Sequence, residues 1–285
     1  MTDTISALNT LASYLGPRDF DQINQGNLYT HQGIRQADIF AFFGGSILEG
    51  INVLAQAMNN QIAKHYIIIG GAGHTTPALV KEARKAFPNL TVPNNTTEAQ
   101  LFNQILQDQY GLSADFLETK STNCGNNISY LLDLIAAENL ECQSIILCQD
   151  ASMQRRMGAT LAKQAPHIKA IHYAAYEVEF ISQDETISLQ PQNSLGMWSA
   201  QDYIRLLMGE IPRLQDKPDG YGPRGKTIWF MSIFQTKFKK LLTAFFQPMG
   251  IWSVRQIQSL QINRIQKAPD IQPRVFAYVL ILFKV

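Results

Sequence analysis

The sequence predicts an α/β fold: a Rossmann-like, mostly parallel sheet with helices on both faces, an N-terminal helix before it and a basic helical tail after it. Three observations predict this. Short apolar, β-branched runs alternate with amphipathic helical stretches at the spacing of βα units. The runs are apolar throughout rather than every second residue, as strands buried on both faces are. Each run stops at glycines or small polar residues, as strands feeding helices through tight turns do.

Taken in order, Ile5, Leu8, Leu11 and Leu15 recur at helical spacing with Thr4 as a candidate cap, and a polar stretch follows. Ala37 to Phe43 reads as a buried strand ending at Gly44-Gly45. Ser46 is placed to cap a helix through Leu48, Ile51, Leu54 and Met58. Tyr66 to Ile69 is the next strand and stops at Gly70-Gly71-Ala72-Gly73. A helix with Leu79, Val80 and Ala83 comes next, then one from Thr97 to Tyr110. Phe116 to Thr119 reads as a short strand, followed by a helix through Ile128, Leu131, Leu132 and Ile135. Ser144 to Cys148 is a strand, Met153 to Lys163 a helix, Ile168 to Tyr173 a fifth strand, and Ala200 to Met208 a helix. The domain reading is an extension over 1–36, a Rossmann-like domain over 37–230 and a tail over 231–285.

Composition narrows the function classes. The chain has 285 residues, 46% of them hydrophobic, and a net charge of +1, which argues against nucleic-acid binding through bulk electrostatics. Its three cysteines, Cys124, Cys142 and Cys148, form neither a metal-type pair nor an even disulfide framework, so a reducing, cytoplasmic setting is expected. No basic residue precedes Arg18 and no apolar run approaches the ~20 residues of a membrane span. Neither a secretory leader nor a transmembrane segment is expected.

Charge is uneven. Eight of the 24 Lys/Arg but only one of the 23 acids, Asp270, lie from Met231 onward. Phe230, Phe234, Phe238, Leu241 and Phe245 recur there at helical spacing beside Lys237, Lys239 and Lys240. The stripe is expected to pack on the sheet domain. A peripheral membrane contact through 230–246 is the alternative. Residues 251–285 are expected to be peripheral to any site.

In an open parallel sheet, ligands bind outside the carboxyl ends of the strands. Four polar motifs follow directly on strands and so share one rim: Gly44-Gly45-Ser46; Gly70-Gly71-Ala72-Gly73-His74-Thr75-Thr76; Ser121-Thr122-Asn123-Cys124-Gly125-Asn126-Asn127; and Gln149-Asp150 through Arg155-Arg156. The glycines permit close backbone approach, and the helix N-termini behind them favour an anion. Gly-Gly pairs also make turns that bind nothing. Neither is a GxGxxG fingerprint or a P-loop, so a nicotinamide or nucleoside-triphosphate site is not supported. His74 and Glu98 are the candidate acid–base residues, and each also has a structural reading: a solvent-facing histidine, and a carboxylate favoured at a helix start. Cys124 sits near a helix N-terminus that would lower its pKa, but a Cys nucleophile needs a partnered base. Arg155 and Arg156 oppose the dipole of their helix unless an anion or Asp150 lies between them. Arg224, in Asp219-Gly220-Tyr221-Gly222-Pro223-Arg224-Gly225, is a further candidate on a loop that serves equally as a rigid connector.

The ordered set GGAGHTT, TEA, STNCGNN, QDASMQRR and GEIPRLQDKPDGYGPRG, spread from about Ala37 to Gly225, resembles the YdcF-like family, a bacterial domain-of-unknown-function group that also includes SanA and ElyC. The resemblance implies a Rossmann-like fold and, for the soluble YdcF branch, S-adenosylmethionine as ligand with no assigned reaction. By motif it carries ligand-loop roles to Gly44, Gly45, Gly70, Gly71, Glu98, Ser121, Thr122, Asn127 and Arg156. With the strand-end neighbours, the expected site also takes in Ser46, Gly73, His74, Thr75, Asn123, Gln149, Asp150, Arg155 and Arg224, with no metal. Asn126 stands where many relatives carry Glu, and Met153 where many carry His. Those departures weaken an acid–base hydrolase reading and suit a binder. The expectation is a small-molecule binder for S-adenosylmethionine or a related nucleoside-type ligand. Its alternatives are a phosphoryl-group hydrolase or transferase and a non-enzymatic ligand sensor.

Overall fold

A computed structural model describes residues 2–45, 47–73, 76–184, 186–191 and 194–214. Its centre is a five-stranded, all-parallel sheet of β1 (Ala37–Phe43), β2 (Ala63–Ile69), β3 (Phe116–Glu118), β4 (Ser144–Cys148) and β5 (Lys169–His172), in the order β3-β2-β1-β4-β5. The registers run Phe43 beside Ile69 and Phe42 beside Cys148, so the ends of β1, β2 and β4 are level.

The apolar runs are continuous because both faces are covered. Phe40 and Phe42 enter one core, with Leu8 and Leu11 of α1 (Thr2–Leu15), Leu28 of α2 (Gln25–Gln32), Leu54 of α3 (Gly50–Asn59), Leu79 of α4 (Thr76–Ala86), Phe102 of α5 (Glu98–Tyr110) and Leu207 of α8 (Ala200–Arg213). Ile39, Ala41 and Phe43 enter the other, under Ile128 and Leu131 of α6 (Cys124–Ala137) and Met157 and Leu161 of α7 (Gln154–Gln164). Successive residues of one strand therefore serve opposite layers.

Every strand of the expected sheet is present, with the ends of β2, β3 and β5 shifted. Thr4 lies inside α1 rather than at its cap, because the helix begins at Thr2. The helix after β1 starts at Gly50 behind Glu49, so Leu48 precedes it and Ser46 is too far upstream to cap it. Two features are additional. Polar α2 is held by its ends, with the Asn24 side chain accepting from Asn27 N–H and Gly33 closing it at φ 76°. An antiparallel hairpin, β6 (Glu179–Gln183) with β7 (Thr186–Gln190), sets Phe180 opposite Leu189 and packs on α1. The expected basic tail and the loop from Asp219 to Gly225 lie outside the described residues.

Candidate functional site

Strand order reverses where the chain, having built β2 and β3 on one side of β1, crosses to β4 on the other. At such a switch point the connections leave to opposite faces and open a crevice at the carboxyl ends. Here it is bounded by Gly44-Gly45 after β1 and Gln149-Asp150 after β4.

Glu98 occupies the β1–β2 side of this rim. A Cβ on Gly44 would stand 2.8 Å from both Cβ and Oε2 of Glu98, and one on Gly70 would stand 2.9 Å from its Cβ. The two glycines thus form a notch shaped for this one side chain. Neither has a positive φ, and nor does Gly71; close approach is what excludes side chains here. A Cβ on Gly71 would lie 2.2 Å from the Ser121 carbonyl oxygen, which accepts the Gly71 N–H at 3.0 Å. The loops after β2 and β3 are packed backbone on backbone.

The Glu98 carboxyl accepts the Thr76 hydroxyl at 3.0 Å, and Thr76 Oγ1 in turn accepts Gly73 N–H at 2.8 Å. Burial pushes Glu98 above the usual carboxylate range, and the Thr76 bond offsets this only in part. The start of α5 is already satisfied. Glu98 N–H binds the Gly71 carbonyl at 3.0 Å and Ala99 N–H the Gly70 carbonyl at 2.8 Å, while Thr97 and Gln100 complete a capping box. Asn123 caps α6 by accepting Asn126 N–H at 3.0 Å. Anion binding at these two helix starts therefore competes with groups of the chain itself; α7 alone of the three lacks a side-chain cap.

Across the switch point, buried Gln149 spans the crevice. Its Nε2 approaches the Gly44 carbonyl at 3.4 Å and its Oε1 accepts Asp150 N–H at 2.7 Å. Asp150 Oδ1 accepts from Ser152 N–H at 3.1 Å, from Ser152 Oγ at 2.8 Å and from the Tyr176 hydroxyl. Burial nevertheless leaves Asp150 above its ordinary range, and burial beside that carboxylate pushes Tyr176 far up. Tyr203 packs edge-on against Tyr176 at 6.0 Å between centroids. The Trp198 indole N–H also acts on Asp150. It is buried and makes no hydrogen bond of good geometry among the described residues.

The two arginines of α7 turn inward. Arg156 forms a bidentate pair with Glu210 of α8, Nε to Oε2 at 2.7 Å and Nη2 to Oε1 at 3.0 Å. Arg213 joins the same carboxylate at 3.1 Å. Arg155 lies 3.9 Å from the ring centroid of Tyr14 and donates to the Tyr14 carbonyl. The carboxylate facing Arg156 is thus Glu210, not Asp150. Cys124 corrects the expectation of a lowered thiol pKa: burial pushes it up despite the nearby Arg156.

Thr122 and Asn123 are tied to Asn126 within their own turn. Asn127 is buried in the first turn of α6, and the buried Ser121 hydroxyl has no partner among the described residues. Ser46, His74, Thr75 and Arg224 lie outside the described residues. Sequence reasoning missed Glu118, which closes the β3 turn by accepting Lys120 and Ser121 N–H at 2.6 and 3.1 Å. It also missed Tyr176, Trp198, Tyr203 and Glu210, whose link to the rim is purely tertiary.

Among the described residues no three His, Cys, Asp or Glu side chains are grouped to hold a metal ion, and no helix is long and apolar enough to cross a membrane. Compared with models of known protein families, the chain matches none.

Proposed function

We propose that the chain binds a nucleoside-type small molecule, S-adenosylmethionine on the family resemblance, at the carboxyl ends of β1, β2 and β4. The observation that carries this reading is Glu98: a carboxylate seated in a two-glycine notch beside a switch-point crevice, in the manner of an acceptor for ribose hydroxyls. The charge balance supports an uncharged or cationic ligand over a phosphorylated one. Glu210 neutralises Arg156, Arg155 packs on Tyr14, and two of the three helix starts are capped. Glu98 would hold the ribose and the Gly44-Gly45 backbone would face the ligand across the crevice from Gln149. S-adenosylmethionine would supply an electrophilic methyl group there.

Calorimetric titration with S-adenosylmethionine, S-adenosylhomocysteine and adenosine, against ATP and sugar phosphates, tests this. A nucleoside at a hundred times its Kd should stabilise the fold by about 2.7 kcal/mol in a parallel melt. Binding confined to the phosphorylated compounds overturns the proposal in favour of phosphoryl chemistry.

A further inference from the structure

Between α4 and residues 194–199 lies an open groove of about 700 Å³, lined in part by Leu48, Ala78, Leu79, Met197 and Trp198. That volume falls in the range of small-molecule sites. Two of its lining residues follow the rim closely along the chain. Leu48 follows Gly45 by three residues, and Ala78 stands two residues from Thr76, about 3 Å of helix rise. Thr76 is the residue whose hydroxyl meets Glu98 at 3.0 Å.

The wall that carries Trp198 is fixed at Leu195 by two bonds to Glu49. Glu49 N–H binds the Leu195 carbonyl at 3.0 Å, and Leu195 N–H binds Glu49 Oε2 at 2.8 Å. Gly196 turns at φ 77°, where a Cβ would stand 3.3 Å from the Leu48 nitrogen. On the inner side the indole N–H is buried and lies close enough to Asp150 to act on it. The rest of Trp198 is only half-buried and helps form the groove. A preset aromatic plane beside Leu48, Leu79 and Met197, in a groove whose outer wall carries Lys81, Glu82 and Lys85, offers a flat apolar face, and α4 leads from it to Thr76, the hydrogen-bond partner of Glu98; the pair matches a molecule with one flat apolar end and one hydroxylated end. On the nucleoside reading above, we infer that this groove takes the heteroaromatic base, packed against Trp198, while the ribose reaches Glu98.

The test is calorimetric titration of the full chain with adenosine. Trp198→Leu removes the plane and should raise Kd at least tenfold, the scale of base–aromatic stacking. Trp198→Phe keeps a ring and should lose less than threefold. Ala78→Phe, at an exposed position, fills the groove while leaving Trp198 and Asp150 in the chain and should also raise Kd at least tenfold. This variant decides the matter if Trp198→Leu does not fold. Wild-type affinity in Ala78→Phe, while Glu98→Gln still weakens binding, overturns the base assignment alone and leaves the nucleoside reading standing. No heat with any nucleoside in the wild-type chain overturns that reading, and the base assignment falls with it.

Discussion

Glu210→Ala is expected to destabilise the fold by about 3–5 kcal/mol, the cost of breaking a buried ion pair by removing one partner. The side chains of Arg156 and Glu210 are only 10% and 4% exposed, and the guanidinium makes both bonds of a fork. Removing the carboxylate takes this partner from a group that cannot shed its proton. Arg156→Met should cost less. Glu210 keeps Arg213, and burial has already moved its pKa upward, so it can neutralise by taking up a proton. The double variant Arg156→Met with Glu210→Leu should recover most of the loss, because a well-packed apolar pair stands in for a buried ionic one at little or no cost. Urea unfolding at pH 7 measures all three. For a domain of this size the Glu210→Ala loss corresponds to a fall in Tm of roughly 6–20 °C. A loss below 1 kcal/mol in Glu210→Ala, or a double variant as weak as the sum of the singles, would refute the view that the pair is buried and coupled.

Gly71→Ala should cost about 1–3 kcal/mol in the same assay, since the added Cβ meets backbone of Lys120 and Ser121 that cannot swing away; an unchanged midpoint would show that the two loops are not in contact. His172 is half-buried and its pKa is lowered by desolvation, with Nδ1 facing the Gln154 amide at 3.2 Å. The unfolded chain therefore takes up this proton first. Stability should fall as pH drops below 6.5, by up to about 1.4 kcal/mol per pH unit, and His172→Gln should flatten that slope. Glu98→Gln should weaken nucleoside binding by about 1.5–3 kcal/mol, the scale of a hydrogen bond to a charged group. Wild-type affinity should fall on acidification through a midpoint above 4.5, because burial raises the Glu98 pKa and the protonated form loses acceptor strength; pH-independent binding would separate Glu98 from the ligand.

The sheet was legible because its signals are local. Continuous apolar runs such as Ala37 to Phe43 mark strands buried on both faces, and they matched β1 and β4 residue for residue. α2 was not legible, because its stability comes from Asn24 and Gly33 at its ends while its body offers one buried residue, Leu28. The β6–β7 hairpin buries only Phe180 and Leu189, too sparse an alternation to stand out, and Asp184 turns it at φ 48° with no glycine to signal the turn. At the rim, topology could be inferred but partnership could not. That Glu98 would fit between Gly44 and Gly70 depends on residues 54 and 28 positions away meeting across two strands. That Arg156 would face Glu210 depends on α8 returning to the start of α7 from 54 residues further on.

Glycine and charge at this rim therefore have different meanings in sequence and in space. The pattern Gly-Gly, Gly-Gly, Ser-Thr-Asn and Arg-Arg reads as a cradle for an anion. In the folded chain most of those groups bind one another: Gly71 meets Ser121, Asn123 caps Asn126, Arg156 meets Glu210 and Arg155 meets Tyr14. Breaking the buried ones, Gly71 with Ser121 and Arg156 with Glu210, to receive a phosphate would leave partners unsatisfied, at about 1–3 kcal/mol each. Glu98 differs. Among the described residues its one side-chain bond is to Thr76, and a carboxylate has room for several donors. A ligand that brings hydroxyl donors adds to what Glu98 already holds, whereas a ligand that brings an anion must displace what Arg156 already holds. That asymmetry favours a hydroxylated, phosphate-free ligand, and it makes the contrast between adenosine and ATP the most informative pair of titrations on this protein.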